Sequence, residues 1–402
     1  MTKNFLSDRV LNMSVSATLK MTEMSREMKE KGIDIIPLSI GEPDFNTPEN
    51  VKKAAKAAID NNLTHYPPVP GIPALRDAIC KKLKRDNDLN YQANQIVVST
   101  GAKHSLANIF MSVLNESDEV IVPSPFWVSY PEMIKLAGGN MNIVKTTIDN
   151  GFKMTAQQLE NAINNKTKAF LFNSPSNPSG AVYTYQEIES LARVLENHPE
   201  ILIITDEIYE LINFEGKHFS LASFDKLKDR TVIINGVSKG FAMTGWRIGY
   251  MAAPTEIAKA CTKLQGQFTS GASTISQAAA TEALNTDPKK SEELNTMLTQ
   301  FKTRRDLLID LLKEIPGFKT NIPGGAFYLF PDVSAYYGKS FGTKTINNSS
   351  DMCIYLLEEA HVALVAGESF GSPECIRISY ATSIENIKEA VIRIKTALEK
   401  LN

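Results

Sequence analysis

A lysine and an arginine eight positions apart give the clearest indication of chemistry in the sequence. Lys239 follows an apolar run, and Arg247 lies in the same glycine-rich stretch, SKGFAMTGWRIG at 238–249. Desolvation at a strand end lowers the pKa of a lysine ammonium and exposes a nucleophilic amine. The planar guanidinium of an arginine suits a phosphate, and Gly245 and Gly249 permit close approach of the backbone. This pair is what pyridoxal phosphate requires, although the two residues alone would more simply fit a solvated loop.

Short apolar runs, most of them rich in valine and isoleucine, alternate with helical patterns through the first two thirds of the chain and could position this pair. Continuous apolar strands of this kind suit a mostly parallel sheet that is covered on both faces, so they predict an α/β domain. Each run carries Ser, Asn, Asp or Gly at or near its end, and ligands of such sheets gather at the carboxyl ends of the strands. The runs are 95–99, 118–125, 168–175, 200–207 and 231–239.

The pattern changes after about residue 285. A charged amphipathic stretch at 288–314 predicts a long helix, and the segments after it predict a smaller α+β domain. The first 47 residues show only weak periodicity. We therefore expect an N-terminal arm and part of the small domain at 1–47, a large cofactor-binding domain at 48–290 and a small C-terminal domain at 291–402.

Composition excludes several classes of protein. The 402 residues carry 43 Lys and Arg against 45 Asp and Glu, so the chain lacks the basic excess of a nucleic-acid binder. No segment reaches the ~18 apolar residues of a membrane helix, and the N-terminus has no signal-peptide pattern, so we expect a cytoplasmic protein. The four cysteines form no C-x-x-C pair and no close Cys/His cluster, so we expect reduced thiols and no metal.

The stretch around Lys239 resembles the cofactor-lysine signature of the class I pyridoxal-phosphate aminotransferases. Further blocks resemble that family in the same order, and the match spans nearly the whole chain. It is most similar to the bacterial aspartate aminotransferases of the Iβ-type branch, which overlaps with the prephenate aminotransferases. The resemblance implies a fold-type-I transferase with a mostly parallel seven-stranded sheet in the large domain. The blocks are GEPDF (41–45), HYPPVPGIPALR (65–76), STGAKHSL (99–106), SPFWVSY (124–130), NSPSNPSG (173–180), TDEIYE (205–210) and RISYA (377–381).

The resemblance implies roles for residues around the cofactor. Asp206 would keep the pyridine nitrogen protonated, although its position alone would favour a helix-capping aspartate. Tyr209 and Asn177 would donate hydrogen bonds to the phenolic oxygen; otherwise they would be a half-buried tyrosine and an Asn-Pro turn. The remaining implied contacts are Gly101, Ala102, Lys103, Ser238 and Arg247 at the phosphate, Trp127 stacked on the ring, and Tyr66 reaching the phosphate of a neighbouring subunit.

The role of Tyr66 implies a homodimer with shared active sites, whereas a loop aromatic between prolines is the simpler alternative for it. Trp127 would otherwise be a core tryptophan. For the substrate, Arg377 and the backbone around Gly41 would bind the α-carboxylate, with Asn177 and Trp127 nearby. A buried arginine needs an anion, and a structural salt bridge is the alternative.

Lys103 is the candidate for the distal carboxylate of a dicarboxylic substrate. Pairing with the phosphate, or plain solvation, is an equal alternative for this lysine. The stretch 14–18 resembles the N-terminal arm that covers the substrate in the Iβ-type enzymes.

The implied reaction is ping-pong transfer of an amino group between L-aspartate and 2-oxoglutarate, which gives oxaloacetate and L-glutamate. Lys239 would move the proton between the substrate Cα and the cofactor. Prephenate also carries two carboxylates, so a prephenate aminotransferase stays open, as does an aromatic or alanine aminotransferase. A lyase on the same scaffold is a further alternative, because fold does not settle reaction type. A non-catalytic regulator would normally carry a DNA-binding domain, which we do not expect beside the two predicted domains.

Overall fold

The computed structural model describes residues 5–14 and 17–402 of the chain. Its strands are β1 (Ile36–Pro37), β2 (Ile96–Ser99), β3 (Glu119–Ser124), β4 (Asn140–Lys145), β5 (Thr167–Asn173), β6 (Leu202–Asp206), β7 (Thr231–Gly236), β8 (Gly249–Ala252), β9 (Tyr328–Leu329), β10 (Ser340–Phe341), β11 (Lys344–Thr345), β12 (Val362–Ala363), β13 (Val365–Ala366) and β14 (Ile376–Ser379). Its helices are α1 (Asp8–Leu11), α2 (Ala17–Glu30), α3 (Glu49–Asp60), α4 (Pro73–Asn87), α5 (Ala102–Val113), α6 (Tyr130–Leu136), α7 (Ala156–Ala162), α8 (Tyr185–Glu196), α9 (Asp225–Lys228), α10 (Thr255–Phe268), α11 (Thr274–Asn285), α12 (Glu292–Lys313), α13 (Ser349–Glu359) and α14 (Ile384–Leu398).

The central sheet contains seven strands in the order β2-β8-β7-β6-β5-β3-β4. Strand β8 runs antiparallel to both of its neighbours, and the other pairings in this sheet are parallel. Because β8 is reversed, its first residue lies at the edge where the parallel strands end. The segment before β8, which contains Arg247, therefore meets the segments that follow β5, β6 and β7. The predicted α/β fold with a mostly parallel seven-stranded sheet is confirmed.

Helices cover both faces of this sheet, as its continuous apolar strands predict. Along β3, Val120 and Val122 pack in one core with residues of α5 and α6, whereas Ile121 packs in another with residues of α8. Successive side chains of a strand point to opposite faces of the sheet, and here both faces are buried. With both faces occupied, the carboxyl edge of the sheet remains the open place for a ligand.

A second group of elements combines the C-terminal part of the chain with a piece of the N-terminal part. Strands β9, β13 and β14 form an antiparallel sheet in the order β13-β14-β9. Strand β1 pairs in parallel with β12, and α2 contacts both β12 and β13. Helix α12 packs against α14. Residues 17–37 thus pack with the C-terminal elements.

The sequence and the structure differ in the N-terminal and C-terminal segments. The sequence did not predict α2, since its apolar periodicity is weak. The structure explains this weakness, because Met21 and Ser25 are the only α2 residues recorded as buried. The run at 361–367 forms two strands that break at Leu364, because β12 pairs with β1 and β13 pairs with β14. The expected substrate-covering arm at 14–18 includes Val15 and Ser16, which lie outside the described residues.

Two further expectations can be compared with the fold. None of the described helices combines the length and the apolar composition needed to cross a bilayer. All four cysteines, Cys80, Cys261, Cys353 and Cys375, carry free thiols, and only Cys80 is partly exposed.

Candidate active site

A cavity of about 320 Å³ opens at the carboxyl edge of the central sheet. Its charged lining residues are four cations, Lys103, Lys239, Arg247 and Arg377, and one acid, Asp206, so the cavity favours anionic ligands. Most of the residues predicted from sequence line it together: Gly41, Ala102, Lys103, Trp127, Asn177, Asp206, Tyr209, Ser238, Lys239, Arg247 and Arg377. Gly101 and Tyr66 are not among the lining residues.

Lys239 lies three residues beyond the end of β7, and its side chain is held inside the cavity. Its Nζ donates a hydrogen bond of 2.5 Å to the carbonyl oxygen of Gly41. The aromatic rings of Tyr209 and Phe327 are each centred 6.0 Å from this nitrogen. Burial lowers the pKa of Lys239 to about 8, so a substantial fraction of the amine is neutral near physiological pH.

The start of α5 and Arg247 form a cradle for an anion. Gly101 precedes the helix with φ +83°, and a Cβ on it would lie 2.5 Å from Nη2 of Arg247. A Cβ on Gly249 would lie only 2.1 Å from the backbone nitrogen of Ala102. These two glycines therefore allow the guanidinium group and β8 to approach the first turn of α5, whose free N–H groups favour negative charge.

The N–H group of Gly101 itself is already used, because it donates to the carbonyl of Ser99 at 2.8 Å. Of the three residues predicted to offer backbone donors to a phosphate, Ala102 and Lys103 thus remain for that role. Gly101 acts instead as a spacer that makes room for Arg247. Arg247 is fixed by a 2.9 Å hydrogen bond from its Nη1 to the carbonyl of Thr244.

Asp206 is the last residue of β6, and its carboxylate is buried at the cavity wall. Its Oδ2 accepts a hydrogen bond of 2.7 Å from the hydroxyl of Tyr130, and its Oδ1 accepts one of 3.2 Å from the N–H of Ile208. No α-helix begins here, so the helix-capping alternative does not apply, although the contact with Ile208 is local. Burial raises the pKa of Asp206 to about 6, which the Tyr130 hydrogen bond opposes.

Arg377 is buried in β14 without an acidic partner among the described residues. Its Nη1 donates to Oδ1 of Asn177 at 3.0 Å, and its Nη2 donates to the carbonyl of Ser39 at 2.8 Å. Its Nε is buried and has no hydrogen-bond partner in the described part of the chain. The structural salt bridge considered for Arg377 is therefore not formed, and an uncompensated buried cation is a ready site for a carboxylate.

Two tyrosines connect the Arg377 region with the part of the cavity that holds Lys239. The hydroxyls of Tyr209 and Tyr328 lie 2.9 Å apart. The Arg377 guanidinium lies 4.5 Å from the centroid of the Tyr328 ring and 5.1 Å from that of Phe370. Burial raises the pKa of both hydroxyls, so both stay protonated and can donate hydrogen bonds. Asn177 accepts from Arg377 through its oxygen, which leaves its amide nitrogen to donate.

Lys103 extends from the first turn of α5 over the indole of Trp127. Its Nζ lies 4.9 Å from the centroid of the indole, and no acid pairs with it among the described residues. Burial, and then the charge of Arg247, lower the pKa of Lys103. The lysine is thus a partly desolvated cation that an incoming anion would stabilise.

Tyr66 lies away from this cavity. Its side chain is 96% exposed, the most exposed of the large hydrophobic residues recorded. In a single chain it reaches no site residue, so its predicted contact with a phosphate requires a second subunit.

The structure adds polar lining residues that sequence reasoning missed, three of which are described next. Tyr130 and Tyr328 line the cavity, as does Asn173, whose amide donates to the backbone carbonyl of Asp206 at 2.7 Å. Tyr130 and Asn173 end and begin blocks that resemble the family, which is the signal that could have found them. Tyr328 lies inside the apolar run GGAFYLFPD, where its type suggests only a core residue.

The segment 205–210 has a second set of acids that faces away from the cavity. Within the part of the chain that the structure describes, Glu207, Glu210 and His218 offer ligand atoms within 4.8 Å of one another. The ammonium of Lys82 contacts Glu210, and Nε2 of His218 lies 3.0 Å from Glu207. The group is thus already supplied with cations, and the expectation of no metal stays a prediction.

We expect Asp206→Asn to stabilise the cofactor-free protein above pH 6. The pKa of Asp206 in the fold, about 6, exceeds its ordinary value of 3.8, so the stability of the protein falls as pH rises between these values. A neutral carboxamide removes that loss. Urea unfolding at pH 8 should show a gain of about 1–3 kcal/mol in the variant.

The same two proteins should have similar stability near pH 4, where the carboxyl of Asp206 is protonated in the folded state. Asp310→Asn, at an exposed position of α12, is the matched control and should leave the pH profile unchanged. An Asp206→Asn variant that is no more stable than the parent at pH 8 would contradict the assigned pKa shift.

Comparison with known proteins identifies the family. The model of the family "Aminotransferase class I and II" matches residues 33–394. An aspartate aminotransferase of Bacillus sp. (strain YM-2) is 48% identical over 395 residues, covering 98% of both chains. An aspartate/prephenate aminotransferase of Cereibacter sphaeroides is 46% identical, over 97% of this chain and 98% of that one. The crystal structure of the aspartate aminotransferase from Rhizobium meliloti is 42% identical and covers all of both chains with a TM-score of 0.95. The chain therefore belongs to the class I and II aminotransferases, a family that uses pyridoxal 5′-phosphate.

Proposed function

We propose that this protein is an aspartate transaminase that moves an amino group between L-aspartate and 2-oxoglutarate in two half-reactions. The observation that carries the proposal is a pair of cations, Arg377 and Lys103, that have no acidic partner within residues 5–14 and 17–402 and share one cavity with the amine of Lys239. A dicarboxylic amino acid presents two carboxylates and one amino group to such a site. Relatives that are named aspartate aminotransferases support the same substrate.

The residues at the carboxyl edge of the sheet fit pyridoxal 5′-phosphate. The cradle at Ala102, Lys103 and Arg247, which a Cβ at either neighbouring glycine would fill, suits a phosphate group, and Ser238 adds a hydroxyl. The buried carboxylate of Asp206 suits a protonated ring nitrogen. When bound, the cofactor supplies an aldehyde that condenses with amines and a protonated ring that accepts electrons from the substrate Cα.

The protein side chains then have separate roles. Lys239, whose pKa is lowered to about 8 by burial, would hold the cofactor through its amine, and the free amine would move the proton between the substrate Cα and C4′ of the cofactor. Asp206 retains the proton on the ring nitrogen. Tyr209 and the amide nitrogen of Asn177 would donate to the phenolic oxygen, and Trp127 would lie against the ring.

Arg377 orients the substrate by its α-carboxylate, with the backbone at Gly41 beside it. The hydrogen bonds to Asn177 and Ser39 fix the guanidinium plane before substrate arrives, so little side-chain entropy is lost on binding. Lys103 binds the distal carboxylate of aspartate or glutamate. Prephenate carries two carboxylates as well, and the relative from Cereibacter sphaeroides is named for both activities, so prephenate is the second candidate substrate.

We also propose a homodimer in which Tyr66 reaches the phosphate of the partner subunit. The segments 63–68 and 268–274 pack together. Thr274 donates a hydrogen bond to the carbonyl of Leu63 at 2.6 Å, and Gly271 lies against Pro67. This region exposes Leu63, Tyr66 and Phe268 to solvent in a single chain. A second copy of the chain would cover this apolar surface.

Two coarser assignments accompany this function. The arm with part of the small domain at 1–47, the large domain at 48–290 and the small domain at 291–402 are our proposed boundaries. The pairing of β1 with β12 supports grouping part of the N-terminal segment with the C-terminal domain.

A cytoplasmic location is proposed because all four cysteines are unpaired thiols.

The half-reaction tests the proposed function directly. Purified holoenzyme is mixed separately with L-aspartate, L-glutamate, L-phenylalanine and L-alanine, without any oxo acid, and the cofactor absorbance is followed. Aspartate and glutamate should convert the aldehyde form of the cofactor to the amine form, and Lys239→Ala should abolish this conversion. Prephenate added to the amine form then tests the second candidate. Absence of any conversion in cofactor-saturated protein would refute the transaminase proposal.

Lys103→Gln should separate the two candidate roles of this lysine. If Lys103 binds the distal carboxylate, kcat/KM for aspartate should fall about 10- to 100-fold, while that for alanine changes little. The matched control is Lys226→Gln, which removes an exposed lysine paired with Glu196 far from the cavity lining. An equal loss for aspartate and alanine, with weaker cofactor binding, would assign Lys103 to the phosphate instead.

The dimer proposal predicts that Phe268→Asp produces monomers with weak cofactor binding, because Tyr66 would no longer reach a second site. Sedimentation should show a dimer of the 44.4 kDa chain for the parent and a monomer for the variant. Ile392→Asp is the matched control, since Ile392 on α14 is also 60% exposed. A dimeric Phe268→Asp variant with unchanged cofactor affinity would exclude this surface as the interface.

A further inference from the structure

The hydroxyl of Tyr130 is the only side-chain donor recorded at the carboxylate of Asp206 in the described chain. We propose that Tyr130 is a positioning residue that keeps Asp206 ionised and oriented toward the ring nitrogen of the cofactor. The inference rests on the proposed function and deepens it, because it names what controls the group that keeps the ring protonated.

The geometry ties the two residues together inside the protein. Both side chains are buried, and the Oη–Oδ2 distance is 2.7 Å, the length of a hydrogen bond between a hydroxyl and a carboxylate. Among the described residues, the Oδ1 atom accepts only from the N–H of Ile208, at 3.2 Å. The carboxylate thus has lone pairs left for a ring N–H, while its plane is set from two sides.

Tyr130 is itself held in place. It is the first residue of α6, its N–H donates to the carbonyl of Trp127 at 3.0 Å, and its ring meets the indole edge-on with centroids 5.5 Å apart. Trp127 is the residue proposed to lie against the cofactor ring. One short segment therefore fixes both the ring plane and the donor that orients its acid.

The charge balance at Asp206 shows why this donor matters. Burial raises the pKa of the carboxyl, and the neighbouring charge of Glu207 raises it further. Tyr130, the N–H of Ile208 and the charge of Lys239 act in the opposite direction. Burial also keeps the hydroxyl of Tyr130 protonated, so it always donates and never competes for the proton. Without it, the proton shared by Asp206 and the ring nitrogen would move toward the carboxylate.

Tyr130→Phe removes the hydroxyl and little else. The matched control is Tyr250→Phe, because the hydroxyl of Tyr250 is equally buried, has no hydrogen-bond partner among the described residues and lies outside the cavity lining. Holoenzymes are prepared with cofactor labelled with nitrogen-15 in the ring, and the ring-nitrogen resonance is recorded between pH 6 and pH 9 alongside the kinetics of aspartate turnover.

In the parent and in Tyr250→Phe, the resonance should indicate a protonated ring nitrogen. In Tyr130→Phe it should move toward the unprotonated value, and kcat should fall roughly tenfold or more while KM for aspartate changes less than threefold. A ring nitrogen that remains protonated in Tyr130→Phe, or equal losses in both variants, would overturn the proposal. A parent protein that binds no cofactor would refute the proposed function instead.

A second measurement needs no cofactor. In the cofactor-free protein at pH 8, Tyr130→Phe should lower the melting temperature of the parent at least three times as much as it lowers that of Asp206→Asn, because the hydrogen bond to a charged acceptor is the stronger one. Tyr250→Phe should lower both backgrounds equally. Equal effects of Tyr130→Phe in the two backgrounds would show that Tyr130 does not act through Asp206.

Discussion

Burial of charged groups without full compensation is the constraint on which the rest of this site depends. Desolvation lowers the pKa of Lys239 to about 8 and raises that of Asp206 to about 6, so both pKa values move toward neutral pH. Arg377 is also buried, and no acid pairs with it in the part of the chain that the structure describes. In water, Lys239 would be a weaker nucleophile at neutral pH, Asp206 would be more acidic, and Arg377 would attract a carboxylate less strongly. The low dielectric of one cavity supplies all three effects.

The reversed strand β8 makes that cavity possible. In a wholly parallel sheet, the residues before a strand lie at the edge opposite to those that follow its neighbours. Because β8 is antiparallel, Arg247 reaches the edge where Asp206 ends β6 and Lys239 follows β7. The close approach of Gly249 to Ala102 then brings the cationic segment against the start of α5. A bulkier residue at 249 would push the segment that carries Arg247 away from the first turn of α5, and these are the two elements that would bind an anion together.

Residue type and order predicted the α/β class and a mostly parallel sheet, and the resemblance to the aminotransferase family added the seven strands and most of the cavity lining. The physical reason is that a buried strand gives an apolar run in the sequence. The polar residue that closes the run lies at the carboxyl end of the strand, where ligands bind, as Asp206 does at the end of ILIITD. What the sequence could not show depends on distant partners. Tyr130 and Tyr328 become polar site residues only through contacts with Asp206 and Tyr209, which lie 76 and 119 positions away. Helix α2 likewise gains its place from β12 and β13, not from its own weak apolar stripe.

The segment 205–210 separates a functional acid from structural acids within six residues. Asp206 faces the cavity and accepts hydrogen bonds, but no cation of the described residues is bonded to it, so burial governs its pKa. Glu210 is just as deeply buried, yet although burial alone would raise its pKa, the charge of Lys82 holds it below the ordinary value. Glu207 is paired in the same way with His218, whose pKa stays above its usual value despite burial because of that charge. Burial alone therefore does not mark the functional carboxylate. The missing counter-ion does, and a protonated ring nitrogen in the cavity would supply it.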